Sequence, residues 1–332
     1  MMTRLIWIAG ILSVLYGGYW FVGRSGVQGG ATQVLTQLAD DGWVVSYDEL
    51  STSGFPSRFD TTLSNFALSD PINAIGWAGP WLQVFALSYR PTEVIALLPP
   101  QQSITVGGES FRLETNDMRA SAAVRATPSL PFDRATIDIE APRLTGPDDA
   151  WQITAGRILL AARDTRAHTN TYDFFAQAEA LVLPAQTRRF LDPDDTLPPL
   201  IRLAKIDGNV ALSLPIDRFS ADQVVELTGV SLRELALGWG DLEFNASGNI
   251  AVDATGFASG DVQLSLRNWD DILAMLVRAG VVDEGMVFTV AAVAENMDAT
   301  PDNSDLLTLE VTLQNGRMIV GGFPIGEAPR LR

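Results

Sequence analysis

Asp261-Val262-Gln263-Leu264-Ser265-Leu266-Arg267 alternates apolar and polar side chains at every step after its first residue. In an extended chain successive side chains point to opposite faces, so this stretch has one oily face and one wet face. The same period of two runs through residues 103–106, 110–115 and 136–140. Between such segments stand Pro99-Pro100, Gly107-Gly108, Gly146-Pro147, Asp207-Gly208 and Asn315-Gly316, residue pairs suited to tight reversals. Strands joined by tight turns pair antiparallel, because parallel neighbours need a crossover of about a dozen residues or more. The expected fold class is mainly β: a long curled antiparallel sheet or sheets with a few short helices, preceded by one N-terminal transmembrane helix.

The helical signals are few. Val34, Leu35 and Leu38 share a helix face within residues 31–41, and Gly42 follows as a stop. Ser220-Ala-Asp-Gln223 reads as a capping box leading through Val224, Val225 and Leu227 to Gly229. Asn268 is placed to cap a helix over residues 269–279, with Asp270 and Asp271 at its positive end, Ile272, Leu273, Leu276 and Val277 as an apolar stripe, and Gly280 as its stop. Residues 172–183 carry both periods and are assigned to a strand. The loop-like segment with Asp192, Pro193, Asp194, Asp195 and Pro198-Pro199 divides the body into a first β-rich half, 43–191, and a second, 200–332, through which one sheet is expected to continue.

Residues 5–22 are uncharged and are closed by Arg24. At 1.5 Å per residue the run is about 27 Å long, close to the ~30 Å hydrocarbon core of a bilayer. Trp7, Tyr16, Tyr19 and Trp20 sit towards its ends, where amphipathic rings favour the interface. A cleaved signal peptide is the other reading, but its apolar part is usually only ~7–15 residues, and Gly29-Gly30-Ala31 makes a poor cleavage site. The expectation is an anchor over residues 1–24, a juxtamembrane helix over 25–42, and localisation in the inner membrane with the body in the periplasm.

The composition removes several function classes. With 332 residues and a net charge of −17, the chain lacks the basic stripe that phosphate neutralisation requires, so nucleic acid is not expected as a partner, and with no Walker loop or Gly-x-Gly-x-x-Gly neither is a nucleotide. Zero cysteines exclude disulfides, thiolate metal sites and cysteine nucleophiles. His168 is the single histidine, in a polar setting beside Arg166 and Thr169, so a histidine-rich metal site cannot be assembled. No Gly-x-Ser-x-Gly elbow accompanies it, and Gly238-Trp-Gly240 lacks the spacing of a dinucleotide loop. Neither Asp192, Asp194 and Asp195 nor the stretch 302–305 has the glycine and terminal glutamate of a calcium loop. No cofactor, metal site or catalytic residue is assigned, and no enzyme is expected.

What remains is aromatic abundance on alternating strands. Packing of a one-sided sheet core accounts for most of it. The sharper reading is an apolar concave face for an acyl chain, with Phe59, Phe66, Trp77, Trp81, Phe85, Phe111, Trp239 and Phe244 as groove candidates and helix 269–279 closing one end. Gly54, Phe55, Pro56, Gly322 and Pro324 are architectural, and the Gly-Phe-Pro theme of 54–56 returns at 322–324. Arg58 and Asp60, two apart, share a strand face and can pair across it.

Gly54-Phe55-Pro56 with Arg58, Trp77, Gly79-Pro80, Tyr89-Arg90-Pro91, Trp239-Gly240 leading to Gly248, Asp253 and Gly256, and Asn315-Gly316 leading to Gly322, Pro324, Gly326 and Pro329 follow one another in an order that resembles domain-of-unknown-function family 2125, single-span envelope proteins of alphaproteobacteria. The resemblance implies an anchored extracytoplasmic body of long strands, loosely similar to AsmA-like lipid-groove proteins, and carries no established activity. The function expected is a non-enzymatic, membrane-anchored periplasmic protein whose sheet binds or shelters lipid in envelope maintenance. The alternative is an interaction module that docks another envelope protein through strand edges or an acidic face.

Overall fold

The computed structural model describes residues 2–220, 223–253, 255–280 and 306–331, with only the backbone of residues 2–6 and 9. Among the described residues strands predominate, and three α-helices accompany them. Every registered strand pair is antiparallel. The chain divides into two compact units, 1–124 with 137–150, and 125–136 with 151–332. The division therefore falls elsewhere than the proline-rich segment 192–199. That segment is a tied corner: Asp192 is buried and accepts hydrogen bonds from the amides of Thr196 and Leu197, and Trp239 Nε1 donates to the Pro198 carbonyl at 2.7 Å.

Unit 1 opens with helix α1 (Met2–Asp40), one continuous helix where the sequence suggested an anchor and a separate juxtamembrane piece. It stops at Gly42, whose φ of +94° lets its amide bond the Ala39 carbonyl while Trp43 bonds that of Leu38. Strands β1 (Val44–Ser46) and β2 (Glu49–Ser53) lie along one side of β3 (Arg58–Asp70), and β4 (Ile75–Leu87) lies along the other. The far side of β4 is shared by β5 (Arg90–Leu97) and β6 (Gln101–Val106); β6 continues to β7 (Glu109–Glu114), and β5 to β8 (Asp117–Val124). β9 (Phe132–Glu140) is divided between the units, and β10 (Arg143–Thr145) pairs with β7. α1 lies on β2 and β3: Arg24 Nε donates to the Thr52 carbonyl, Gln28 Nε2 to that of Leu50, and the Phe59 ring is so near Gly23 that a Cβ there would stand 2.6 Å from it.

Unit 2 is a ladder. β11 (Gln152–Thr154) leads into β12 (Arg157–Asp164), β13 (Thr171–Leu181), β14 (Ile201–Leu212), β15 (Leu227–Trp239), β16 (Leu242–Val252), β17 (Ala258–Arg267), β18 (Leu306–Gln314), β19 (Arg317–Val320) and β20 (Phe323–Glu327). From β12 onward each described strand pairs with the next described strand. Helix α2 (Ala185–Leu191), which no periodicity announced, joins β13 to the 192–199 corner, and α3 (Trp269–Arg278) follows β17. The sheet is neither closed nor strongly curled, which corrects the curled sheet expected from sequence. Apolar-to-polar alternation fixes which face a residue occupies, and it leaves the curvature of the ladder free.

Local expectations fare unevenly. The hairpins at Gly107-Gly108 and Asn315-Gly316 form, the 172–183 region is strand β13, and α3 stands where predicted. Asp207-Gly208 is no reversal: both residues lie inside β14 at a register shift, and a Cβ on Gly208 would meet the Ser231 carbonyl oxygen at 2.5 Å. The capping-box helix is absent beyond residues 221–222, which lie outside the described residues: Leu227 opens β15, and Ser220 Oγ instead accepts the Asp217 amide. Long-range pairing with β14 outweighs the local helix signal there. Asn268 makes no side-chain cap on α3; its amide donates to the Asp241 carbonyl. Among the described residues no helix is long and apolar enough to cross a membrane.

Candidate functional site

The cross-strand register of unit 2 decides the chemistry of its faces. Ile158, Ala178, Ala204, Leu237 and Phe244 form one row across β12 to β16; Leu160, Ala176, Ile206, Leu235 and Ala246 form the next. Opposite partners in antiparallel pairs share a face, so both rows look the same way, and every member is hydrocarbon. Three alanines, Ala176, Ala178 and Ala204, make a low floor between the wall of Ile158 and Leu160 and the wall of Leu235 and Leu237. At ~4.8 Å between strands, the trough from β12 to β15 is about 14 Å wide.

Trp239 and Leu242, joined by a two-residue turn at Gly240, close one part of the trough; both are buried, and the Trp239 ring is held by its bond to Pro198. From α3, Ile272 and Leu273 are buried in the core with Leu266, Leu307, Leu309 and Val311, and Met275 and Leu276 project to the trough. The helix thus covers the apolar face over β16 to β18. Over β12 to β15 that face stays open: Leu160 is 38% exposed and Leu237 37%. The resulting cavity is about 520 Å³, within the ~300–1,000 Å³ of ligand sites.

The opposite face of the same strands carries the charges. Gln177 and Lys205 border the trough but belong by register to that other face, where Lys205 Nζ bonds Glu234 Oε2 at 2.6 Å and lies 5.8 Å from the Phe175 ring. Arg233 bridges Asp173 (2.8 Å) and Asp207 (2.5 Å), and Arg163 adds a bond to Asp173 at 2.9 Å. Burial pushes the Asp173 carboxyl up, and the hydrogen bonds from Arg233 and Arg163 more than offset it, leaving a net depression. Arg233 is held charged by Asp207 and Asp173. A second hollow of about 550 Å³ on this side is lined by Ser231, Ser247, Asn249, Asp261, Gln263 and Glu310 among others. The volumes are similar and the chemistry differs: the trough can offer a ligand burial, whereas this hollow can offer hydrogen bonds.

Of the eight groove candidates read from sequence, the structure brings together two, Trp239 and Phe244. The other six lie in unit 1 and form its own packing. Phe59 stacks on Trp20 with ring centroids 6.0 Å apart; Phe66 is fully buried and meets Trp77 edge-on at 4.6 Å, and Trp77 Nε1 donates to Gln102. Trp81, Phe85 and Phe111 are half-buried, with Arg58 over the Phe85 ring at 6.0 Å and paired with Asp60 at 3.0 Å. The floor alanines and the walls Ile158, Leu160, Leu235 and Leu237 escaped the sequence reading, which weighted ring size; the available signal was alanine at period two beside bulky aliphatics. Gly54, Phe55 and Pro56 form the β2–β3 turn, and Gly322 precedes β20, in which Pro324 sits at a register shift. His168 is exposed in the β12–β13 loop. Among the described residues no three metal-ligating side chains gather.

The family described as an uncharacterized protein conserved in bacteria (DUF2125) matches residues 20–329. The chain belongs to it. No curated protein and no solved structure matches. The family match starts within α1, at the residue that packs on Phe55 and Phe59.

Proposed function

We propose that this DUF2125 member is a non-enzymatic lipid-binding protein of the bacterial envelope, anchored in the inner membrane by α1 with its body in the periplasm, and that the trough on unit 2 holds an acyl chain. The observation that carries the reading is the open apolar face over β12 to β15. Each methylene moved from water into such a trough gains about 0.8 kcal/mol, so a chain laid along it binds by burial alone. A hydrocarbon floor without hydrogen-bond partners selects for length and thickness and against polar ligands.

Support for the anchor is the surface of α1. Trp7, Ile11, Leu12, Val14, Leu15 and Val22 are each more than half exposed. Of the helix's seven glycines, Gly10, Gly17 and Gly18 lie within the apolar run, each about 1 kcal/mol less favourable than alanine in water and better tolerated inside a bilayer.

The test is to extract the full-length protein from membranes in mild detergent and analyse bound lipid by mass spectrometry, beside an Ala178→Trp, Ala204→Trp variant whose trough is filled. Acyl lipid on the wild type and not on the variant is the expected result. Equal lipid on both would end the reading. So would a protein partner, cross-linked in cells, whose capture the filled trough leaves intact while no lipid is found.

A further inference from the structure

The way α1 lies on unit 1 fixes more than the position of a helix. Tyr16 donates to the Pro56 carbonyl at 3.0 Å and lies 3.1 Å from Ser88 Oγ; Tyr19 donates to the Ser88 carbonyl at 2.6 Å; Trp20 Nε1 donates to the Arg58 carbonyl at 2.8 Å. Phe55 sits edge-on to Trp20 at 5.3 Å and stacked on Phe21 at 6.3 Å. Two hairpin tips, β2–β3 and β4–β5, are therefore bound side by side to the second half of the apolar run. The tips also hold each other, since Ser88 donates from both N and Oγ to the Ser57 carbonyl.

Ahead of Tyr16, residues 5–15 provide only about 16 Å of helix, half of a ~30 Å hydrocarbon core. The span is complete only if residues 16–22 are counted, and these are the residues that carry the tips. What the tips present outward matches that depth: Phe55 is 57% exposed and Tyr89 67%, beside the exposed Phe21 and Val22 of the helix itself. Through the stack of Phe55 on Phe21, exposed apolar surface passes from the helix to the first tip. Arg90, 64% exposed, follows Tyr89 in the second tip with Glu93 4.0 Å away, and Arg58, 55% exposed, opens the strand after the first tip, paired with Asp60 and over the Phe85 ring; long cationic side chains so placed can reach phosphates while their stems stay in hydrocarbon.

We propose that the Phe55-Pro56 and Ser88-Tyr89 tips are a second membrane-contacting element, seated among phospholipid headgroups and upper acyl chains beside α1. This rests on the reading of α1 as an anchor. Its consequence is that unit 1 cannot pivot freely on a tether, because helix and tips enter the same leaflet as one block.

The cysteine-free chain makes a direct test possible. Full-length protein carrying Phe55→Cys, Tyr89→Cys, Leu12→Cys or Val106→Cys is labelled with a fluorophore and reconstituted into vesicles of phosphatidylcholine and phosphatidylglycerol. Val106 is 54% exposed and pairs with Ile75, at the other end of β4 from Leu87, so it reports the water-facing end of unit 1. Labels at 55 and 89 are expected to be quenched by nitroxide-bearing lipid and several-fold less than the label at 106 by aqueous iodide, and adding Arg90→Glu should raise iodide access at 89. If the label at 12 is in lipid while those at 55 and 89 match 106, the tip proposal fails and the anchor stands. If the label at 12 is open to iodide, the anchor fails and the tips with it. Tyr89→Cys with the tips' hydrogen-bonded backbone intact controls for misfolding, since Ser88 and not Tyr89 makes the bonds to α1.

Discussion

Units 1 and 2 are built from the same material, antiparallel strands with one apolar face, and they use that face in opposite ways. Unit 1 puts rings on it and covers them: Phe59 lies under Trp20 of α1, and Phe66 is fully buried and so close to Gly79 that a Cβ there would stand 3.1 Å from both Phe66 and Pro99. Unit 2 puts alanines in the middle of the face and bulk at its margins, and its α3 covers only part of it. The order of side-chain sizes across the strands is what separates a sealed core from a trough.

The strongest way to break the comparison is to empty unit 1. Phe66→Ala removes a fully buried ring and should cost about 3–5 kcal/mol of stability, read by chemical denaturation. If unit 1 instead tolerated the loss with less than ~1 kcal/mol, its face would be as loosely organised as the trough.

Next comes the cover. Gly23→Leu in α1 drives a side chain into the Phe59 ring, and overpacking of this kind costs roughly 1–3 kcal/mol. Hydrogen exchange should rise in β2 and β3 without a change in β12 to β15. A uniform rise throughout the chain would show that the helix is not a local cover.

Acid sharpens the contrast between the units. In unit 2, Asp133 is held below the usual carboxylate range by the hydrogen bond from Arg166 against the opposing effect of burial, and Asp192 is depressed because the amides of Leu197 and Thr196 outweigh burial. Asp173 joins them, whereas unit 1 has Asp70, lowered by its bonds from Asn73. A carboxylate depressed in the fold contributes stability that is fully present above the unfolded value of about 3.9 and is lost as pH falls through the lower folded value. Hydrogen exchange below pH ~4 should therefore loosen unit 2 ahead of unit 1, and Asp133→Asn should flatten the part of that acid response that belongs to it.

Sequence made the strands legible because alternation is a local property, and it made α3 legible because its acidic first turn and apolar stripe fall within one segment. It failed at Asp207-Gly208, where a pair chemically fit for a turn serves as a bulge, and at residues 224–227, where pairing with β14 overrides a helix signal. The site was half legible for the same reason. Trp239 and Phe244 announce themselves by size, but a floor is made by what is missing from Ala176, Ala178 and Ala204, and which of the many alanines line up across strands is set by register between residues tens of positions apart.

The smallest expected change in stability comes from filling that floor, and it is the most informative. Ala178 is half-buried on an open face, so Ala178→Trp meets no covering layer and should shift stability by no more than about 0.5 kcal/mol. In a sealed core the same substitution would be an overpacking lesion of several times that size. A near-zero ΔΔG together with loss of co-purified acyl lipid would show that the space above the alanines is held open for a guest. A large destabilisation would mean that the face is packed after all, and that the alanines are small because something of the protein's own already lies on them.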